Sequence, residues 1–494
     1  MRLPTPARLP LLGLAAVLLS GCSLMPDYIR PEAPIPSLWP SGPAYRQAGL
    51  TPVSTASPAQ LSADILGWRQ VMRDPALQRL VGLALENNRD LRVAILNIES
   101  ARATYRSTRS SLFPTLNGTS SLDAARTPND LSSNPNKTGN AGVNSSSHSA
   151  GLGVTSYEID LFGKLRSQSQ RDFESYLNYV ETRRSTQITL VAEVAAAYLT
   201  LLADRELMEL SRQTLASQES SLALTRATVR TGTDTALTLR QAETSVESAR
   251  ASLIAYTRQV AQDENALALL LGAPLPADLR IGNRLDDTAL MTELPAGLPS
   301  EVLLRRPDVL AAEHSLKAAN ADIGAARAAF FPSLSLTGTF GTSSAALAGL
   351  FTAGSAAWTF IPTLTLPIFS GGANEAALDL AKVKKNIAVA NYEKAVQTAF
   401  REVADALAAR GTYDEQIKAQ QALTDAYADT YRLAEMRFRA GVDTYLTVLD
   451  AQRSLFSAQQ TLISLRESRL SNLVTLYKVL GGGWEENSTA LATR

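Results

Sequence analysis

One cysteine and two histidines are the only thiol and imidazole groups in this chain of 494 residues, and they bound its chemistry. His148 lies in a Ser-rich stretch entering a predicted strand. His314 sits beside Glu313 in a short predicted helix. Neither has a cysteine or a second histidine at ligand spacing, so no metal site is expected. There is no G-x-S-x-G, no phosphate-binding glycine loop and no dinucleotide fingerprint. Gly481-Gly482-Gly483 precedes Trp484 rather than a helix and reads as a flexible stop. The expectation is a protein that is not an enzyme and uses no cofactor. Any energy for its work must then come from a partner.

The cysteine suggests a different chemistry. Arg2 and Arg8 stand without an acidic neighbour before a short apolar run, Leu9 to Leu19. That is the layout of a secretory signal, residues 1–21. Leu19-Ser20-Gly21-Cys22 resembles a bacterial lipobox, which implies cleavage before Cys22 and acylation of its sulfur and new amine. Two or three acyl chains hold a protein on a membrane stably, where one would not. Ser23 stands where lipoproteins retained in the inner membrane usually carry Asp, which favours the outer membrane.

The charges balance at 47 basic and 47 acidic side chains, so no basic excess points to nucleic acid. With its one cysteine acylated, the mature chain has neither a disulfide nor a Cys-based zinc site. No unbroken run of 18 apolar residues occurs, and the signal's run is too short to span a bilayer as a helix. If the mature protein crosses a membrane, the expectation is a closed β-barrel.

The chain is written twice. Asn87-Asn88-Arg89-Asp90-Leu91 is followed by Phe113-Pro114-Thr115-Leu116; 218 residues on, Arg305-Arg306-Pro307-Asp308-Val309 is followed by Phe331-Pro332-Ser333-Leu334. Gly232-Thr233-Asp234-Thr235 aligns with Gly441-Val442-Asp443-Thr444 at an offset of 209, so an insertion of nine residues lies between the landmarks. A period this long is a duplicated half, not a solenoid unit.

Each half reads as helix, strand pair, very long helix and return helix. Pro75 to Ser111 has helical spacing, as does Asp308 to Ala329, and both stop at Phe-Pro. The clearest strand alternates Leu334, Leu336, Gly338 and Phe340 with Ser335, Thr337 and Thr339. Its partner sets Trp358, Phe360, Leu364, Leu366 and Ile368 against Thr359, Thr363 and Thr365, with Ile361 an exception. An apolar and a small polar face suit a barrel wall between lipid and water. The first-half strands, about 115–127 and 149–159, alternate less cleanly around a polar loop, Pro128 to Ser147.

Lys164 to Thr231 contains neither Gly nor Pro, a rod of roughly 100 Å if helical. Gly232 breaks it and Thr233 to Leu271 returns. Ala373 to Ala440, interrupted only by Gly411, repeats the rod, and after Gly441 the return runs from Val442 to Leu480. The expected organisation is thus an N-terminal anchor and equatorial segment (22–75), repeat half one (76–271), an equatorial linker (272–305), repeat half two (306–480) and a tail (481–494). Within the halves come strand pairs at about 115–159 and 333–368, long helices at about 164–231 and 373–440, and returns at 233–271 and 442–480. Four strands cannot close a barrel, and lipid does not tolerate open edges, so protomers must pool strands in a ring.

Taken together, the motifs are similar to the outer-membrane efflux factors of the TolC superfamily, and most to the OprM-type multidrug channels. The matching segments run almost end to end. They include Pro26-Asp27-Tyr28, Ala84-Leu85-Glu86-Asn87-Asn88-Arg89-Asp90-Leu91, Asp160-Leu161-Phe162-Gly163, Arg305-Arg306-Pro307-Asp308, Ala329-Phe330-Phe331-Pro332-Ser333 and Asp443-Thr444-Tyr445-Leu446-Thr447-Val448-Leu449-Asp450-Ala451-Gln452-Arg453. The resemblance implies an α+β membrane protein: a homotrimer with a 12-stranded β-barrel continuous with a long periplasmic α-helical barrel. It implies a constriction just after the second helix turn, which carried over falls on Leu446, Asp450 and Arg453. Spacings of four and three put these on one helical face. Leu446 would form an apolar ring, which gates by dewetting, and Asp450 an acidic ring, which favours cations. Arg453 can hold Asp450, within the protomer or across to the next. The first-half equivalents, Leu237, Gln241 and Thr244, lack the charges.

The function implied is the exit channel of a tripartite pump for drugs or other small toxic compounds. Its partners would be a periplasmic adaptor, docked at the turns around Gly232, Asp234, Gly441 and Asp443, an inner-membrane RND-type transporter and outer-membrane lipid. Two alternatives stand beside it: a duct for protein or signal export, and a non-conducting structural lipoprotein.

Overall fold

The computed structural model describes residues 23–45, 66–128, 143–285, 289–291 and 300–484. Cys22 and the signal lie outside the described residues, as do the tail from 485, most of the first strand-pair loop and parts of the 272–305 linker. The elements in order are α1 (Trp68–Val71), α2 (Pro75–Asn87), α3 (Arg89–Ser110), β1 (Leu116–Thr127), β2 (Val143–Ile159), α4 (Lys164–Arg230), α5 (Ala236–Leu271), α6 (Pro307–Ala328), β3 (Ser333–Ser344), β4 (Ala356–Thr365), α7 (Ala373–Arg439) and α8 (Tyr445–Val479). The chain divides into two compact units. One holds residues 1–31, 98–178 and 312–391; the other holds 32–97, 179–311 and 392–494.

The first unit contains one antiparallel sheet in the order β1-β2-β3-β4. Its register puts Phe340 beside both Leu152 and Trp358, and Leu334 beside both Ile159 and Leu364. These side chains form an apolar face. The opposite face carries Ser149, Gly151, Gly153, Thr339, Thr359 and other small groups. Gly151 sits opposite Gly341, where a Cβ on Gly151 would meet the Phe340 carbonyl oxygen at 2.8 Å.

The irregular alternation in β2 has a physical cause. The register shifts between Val154 and Tyr157, and Ser156 takes φ 54°. This bulge adds one residue and turns Tyr157 and Ile159 onto the apolar face they would otherwise leave. β2 also starts earlier than expected. Asn144 to Ser147 extend the ladder against Asp123 to Arg126, where a loop was anticipated. A serine run has no alternation to read, yet it pairs through its backbone. β4 ends at Thr365, so Leu366 and Ile368 lie beyond it, on either side of Pro367, which has no N–H for the ladder.

An N-terminal strap lies along α6 in this unit. Glu313, almost wholly buried, accepts from Arg30 (2.5 and 3.1 Å) and the Tyr28 hydroxyl (3.1 Å), and pairs with Lys317 at 3.1 Å. These partners hold its carboxyl below the usual range against the opposing effect of burial. Asn320 donates to the Pro26 carbonyl, and Gly324 leaves room for Met25.

In the second unit, Asp74 caps α2 by accepting from the Ala76 amide (2.7 Å) and is held by the Tyr198 hydroxyl (2.6 Å). Leu77, Leu80 and Val81 of α2 are fully buried, as are Leu267 and Leu271 of α5. Burial of such side chains stabilises by about 1.5–3 kcal/mol each. The single helix expected from Pro75 to Ser111 is broken at Asn88, whose extended backbone (φ −60°, ψ 133°) separates α2 from α3. α4 contains one stretch long and apolar enough to span a bilayer, but 61% of it is buried inside the protein. Val194, Ala195, Leu199 and Leu201 there are fully buried core side chains. Gly411 does not interrupt α7; a Cβ there would overlap the Ala44 carbonyl, so the glycine admits the strap.

Candidate functional site: the helix turns

Both long helices end in the same turn. Gly232 has φ 77° and Gly441 has φ 72°, the left-handed conformation that ends a helix cheaply only in glycine. Thr233 N donates to the Thr228 carbonyl, and Val442 N to the Arg437 carbonyl, at equivalent places. A Cβ on either glycine would meet nothing within 4 Å, so both turns are bare.

Charge separates the two turns. Asp443 accepts from Thr444 N (3.0 Å), the Thr447 hydroxyl (3.1 Å) and Arg437 Nε (3.2 Å). The Thr444 amide first, then Arg437 and Thr447, hold its carboxyl below the usual range. In the first turn Thr228 replaces Arg437, and among the described residues Asp234 accepts only from Thr235 N (2.8 Å). Hydroxyl bonds, such as Thr233 Oγ1 to the Thr228 carbonyl (2.9 Å), do the holding there.

Behind the turns, one apolar knot gathers four helices. Leu222 of α4, Ala242 and Val246 of α5, Ala434 of α7 and Tyr445, Val448 and Ala451 of α8 are buried together. Phe438 packs against Tyr445 at 5.5 Å between ring centroids. Burial pushes the Tyr445 phenol above its ordinary range. This packing fixes the rotation of α8. With Tyr445, Val448, Leu449 and Gln452 inside, Leu446, Asp450 and Arg453 all project from the opposite, exposed face. Leu446 is 49% exposed. The structure brings the three onto one face but does not join them. Neither Asp450 nor Arg453 has an ion-pair partner among the described residues of the protomer. Leu237 and Thr244 are also exposed and Gln241 half-buried on α5, with no charge among them.

His148 lies in β2, and His314 Nδ1 lies 2.7 Å from Glu174 Oε2. Among the described residues no group of three histidine, cysteine or carboxylate side chains could hold a metal ion.

The profile of the family described as "Outer membrane efflux protein" matches residues 80–273 and again 298–482. The chain belongs to the outer membrane efflux protein family. Its relatives include the probable efflux pump outer membrane protein TtgC of Pseudomonas putida, 51% identical over 477 residues that cover 97% of this chain and 96% of that one. OprJ of Pseudomonas aeruginosa is 44% identical and covers 99% of each chain. Among solved structures, the open-state MtrE outer membrane channel of Neisseria gonorrhoeae is similar with a TM-score of 0.82 and 40% identity, over 95% of this chain and 100% of that one. A membrane protein from Pseudomonas aeruginosa gives 0.83 and 43%, over 93% and 100%. The family is one of outer-membrane efflux channels and not an enzyme class. Membership gives the chain its place in the outer membrane and its fold class, a trimeric barrel with a long helical domain.

Sequence reasoning missed several side chains. Asn88 donates to the Leu270 carbonyl (2.9 Å), and Arg306 donates to the Val479 carbonyl (2.7 Å) while pairing with Asp308 and Glu402. Both had marked the repeat, and their shared position was the signal that they do one job. Gln218 and Gln452, bonded at 2.7 Å in the interior, left no such trace.

Proposed function

We propose that this chain is the exit duct of a tripartite efflux pump. Three copies pool their strands into a 12-stranded barrel, lipid-anchored through Cys22, and small toxic compounds such as drugs or solvents pass through it passively. Two further relatives from Pseudomonas putida, each 51% identical, are named as the outer membrane proteins of an antibiotic efflux pump and of a toluene efflux pump, which supports that substrate class. The observation that carries the reading is the protomer's sheet. Its apolar face suits lipid, its Ser/Thr/Gly face suits water, and β1 and β4 are unpaired edges that a neighbour's strands can close.

The duct is shut at the helix turns. Leu446 and Asp450 face outward from α8, and three copies around an axis turn them into an apolar and an acidic ring. Arg453 reaches Asp450 of the next copy. An adaptor docks on the bare turns at Gly232 and Gly441, near Asp234, Asp443 and exposed Leu237 and Val442. An RND-type transporter supplies the energy.

Single-channel recording in a planar bilayer tests this. Little current from the wild type and large, long-lived openings from Leu446→Ala/Asp450→Ala are expected. No current from either protein, with both inserted as trimers, would overturn the duct; equal large currents would move its gate elsewhere.

A further inference from the structure

The N-terminal strap covers one face of α6, and the equivalent face of α3 carries no strap. α3 and α6 are each 22 residues long and start 218 residues apart. Arg102, Arg106 and Arg109 of α3 therefore stand where α6 has Asn320, Gly324 and Arg327. On α6 these three positions seat the strap. Asn320 donates to the Pro26 carbonyl (2.7 Å), and Arg327 donates to the Leu24 carbonyl (3.2 Å). A Cβ on Gly324 would come within 2.9 Å of Met25 Cα. On α3 an arginine replaces that glycine, so a second strap could not lie there in the same way.

Spacings of four and three align the three arginines on one stripe of α3. All three are exposed, and among the described residues none of their side chains has a hydrogen-bond or ion-pair partner. The carboxylates nearby do not neutralise them. Glu99, one turn below Arg102, is exposed and pairs with none of them. Asp172, against the packed face of α3, is taken by Thr108 and Arg171.

The strap also gauges depth. Leu24, held at Arg327, is two residues from Cys22, the proposed site of acylation, and two extended residues span about 7 Å. Arg109 is the repeat counterpart of Arg327. It lies seven residues before β1 begins at Leu116, and Arg327 lies six before β3 begins at Ser333, in the same sheet. Arg109 thus stands at the level of Arg327, within side-chain reach of the inner-leaflet headgroups. Exposed Phe113 and Leu116 follow it toward the apolar layer. Arg106 and Arg102 lie about 5 and 10 Å farther from the bilayer. Basic side chains at this level attract anionic headgroups, and a guanidinium matches phosphate geometry.

We propose that the Arg102–Arg106–Arg109 stripe is a docking surface for an anionic phospholipid of the membrane's inner leaflet, its phosphate held chiefly by Arg109 and Arg106. One half of the protomer meets the leaflet through a strap and acyl chains, the other through bound headgroups. The depth assignment rests on the Cys22 anchor in the reading above.

The test uses purified trimers in mixed micelles of phosphatidylcholine and phosphatidylglycerol, with retained lipids counted by native mass spectrometry. Wild type should retain phosphatidylglycerol preferentially, and less so as salt rises. Arg109→Gln should lower the preference roughly fivefold, Arg106→Gln roughly two- to threefold and Arg102→Gln less than twofold. Glutamine keeps the helix propensity of arginine, so the trimers should stay assembled. Arg102→Lys/Arg106→Lys/Arg109→Lys keeps the charge and should keep a preference for phosphatidylglycerol. If Arg102→Gln/Arg106→Gln/Arg109→Gln retains phosphatidylglycerol as wild type does, the proposal is wrong. If that triple variant disperses the trimer while the lysine variant does not, the stripe binds a neighbouring copy instead, and the proposal is equally wrong. The intact mass of the mature chain separates the two readings. An acylated chain with no preference overturns the stripe alone; an unacylated Cys22 overturns the anchor, and with it the depth order of the arginines.

Discussion

In the first half of the chain the last turn of α5 is tied by an asparagine; in the second, the last turn of α8 is tied by an arginine. Asn88 and Arg306 are 218 residues apart, and the carbonyls they hold, Leu270 and Val479, are 209 apart. Gly272 and Gly481 follow them with φ 64° and 84°. α4 and α7 are both 67 residues long, and α3 and α6 both 22. Backbone geometry has thus been kept between the halves while side-chain chemistry has diverged. The divergence follows charge: Asp450, Arg453, Arg437 and Arg306 stand where the first half has Gln241, Thr244, Thr228 and Asn88. At these four places the second half bears ions where the first bears neutral side chains, and the candidate gate lies among them.

The sharpest way to break this comparison is to open both tips. Leu446→Ala/Asp450→Ala should raise single-channel conductance tenfold or more, on the order of 1.4 kcal/mol, while Leu237→Ala/Gln241→Ala should change it less than twofold. Equal effects would mean the halves gate alike. The two ties come next. Arg306→Ala leaves Asp308, Glu402 and the Val479 carbonyl without their partner and should cost about 2–3 kcal/mol. Asn88→Ala, which loses one neutral carbonyl bond and an amide cap, should cost about 1–2 kcal/mol. Thermal unfolding of the detergent-solubilised trimer would rank them.

A smaller effect is expected at the strap, which meets Glu313, Asn320, Gly324 and Gly411 of the second half; α3 carries Ile95 where α6 carries Glu313. Gly411→Ala should lift Ala44 off α7 and expose the segment near residues 32–45 to limited proteolysis, with channel current kept. The smallest effect concerns pH. Asp204 has its carboxyl pushed up to about 7 by burial, then by its bond to Asp263 and the charges of Asp263 and Glu467. A carboxyl raised on folding binds its proton more tightly in the native state. The contribution of Asp204 to stability is therefore greatest at acid pH and declines as pH rises through about 4 to 7. Asp204→Asn should flatten that part of the stability–pH profile. The second half has Tyr413 and Asn472 at the places of Asp204 and Asp263, so no matching variant there should do so.

Much of this was legible in the sequence because the repeat is long and the patterns are strong. Alternation in Leu334 to Phe340 and the absence of Gly and Pro from the rods each mapped onto an element. β2 resisted because its bulge reverses the alternation partway along, which no fixed period captures. Asn88 was read as helical because a capping asparagine in extended backbone leaves the periodicity on either side intact. At the candidate gate, spacing placed Leu446, Asp450 and Arg453 on one face, but only the packing of Tyr445 and Val448 says which way that face points. The Gln218–Gln452 pair is a contact between residues far apart in the chain, and nothing local announces it.

The sheet's two bare edges have a genetic consequence. β1 and β4 each need a strand from another copy, so a chain with one ruined edge still offers the other. Such a chain can enter a ring and prevent its closure. Edge-disrupting alleles should therefore be dominant over the normal gene, with the defective copy spoiling rings in which it is the minority, whereas alleles that stop the chain from folding at all should be recessive.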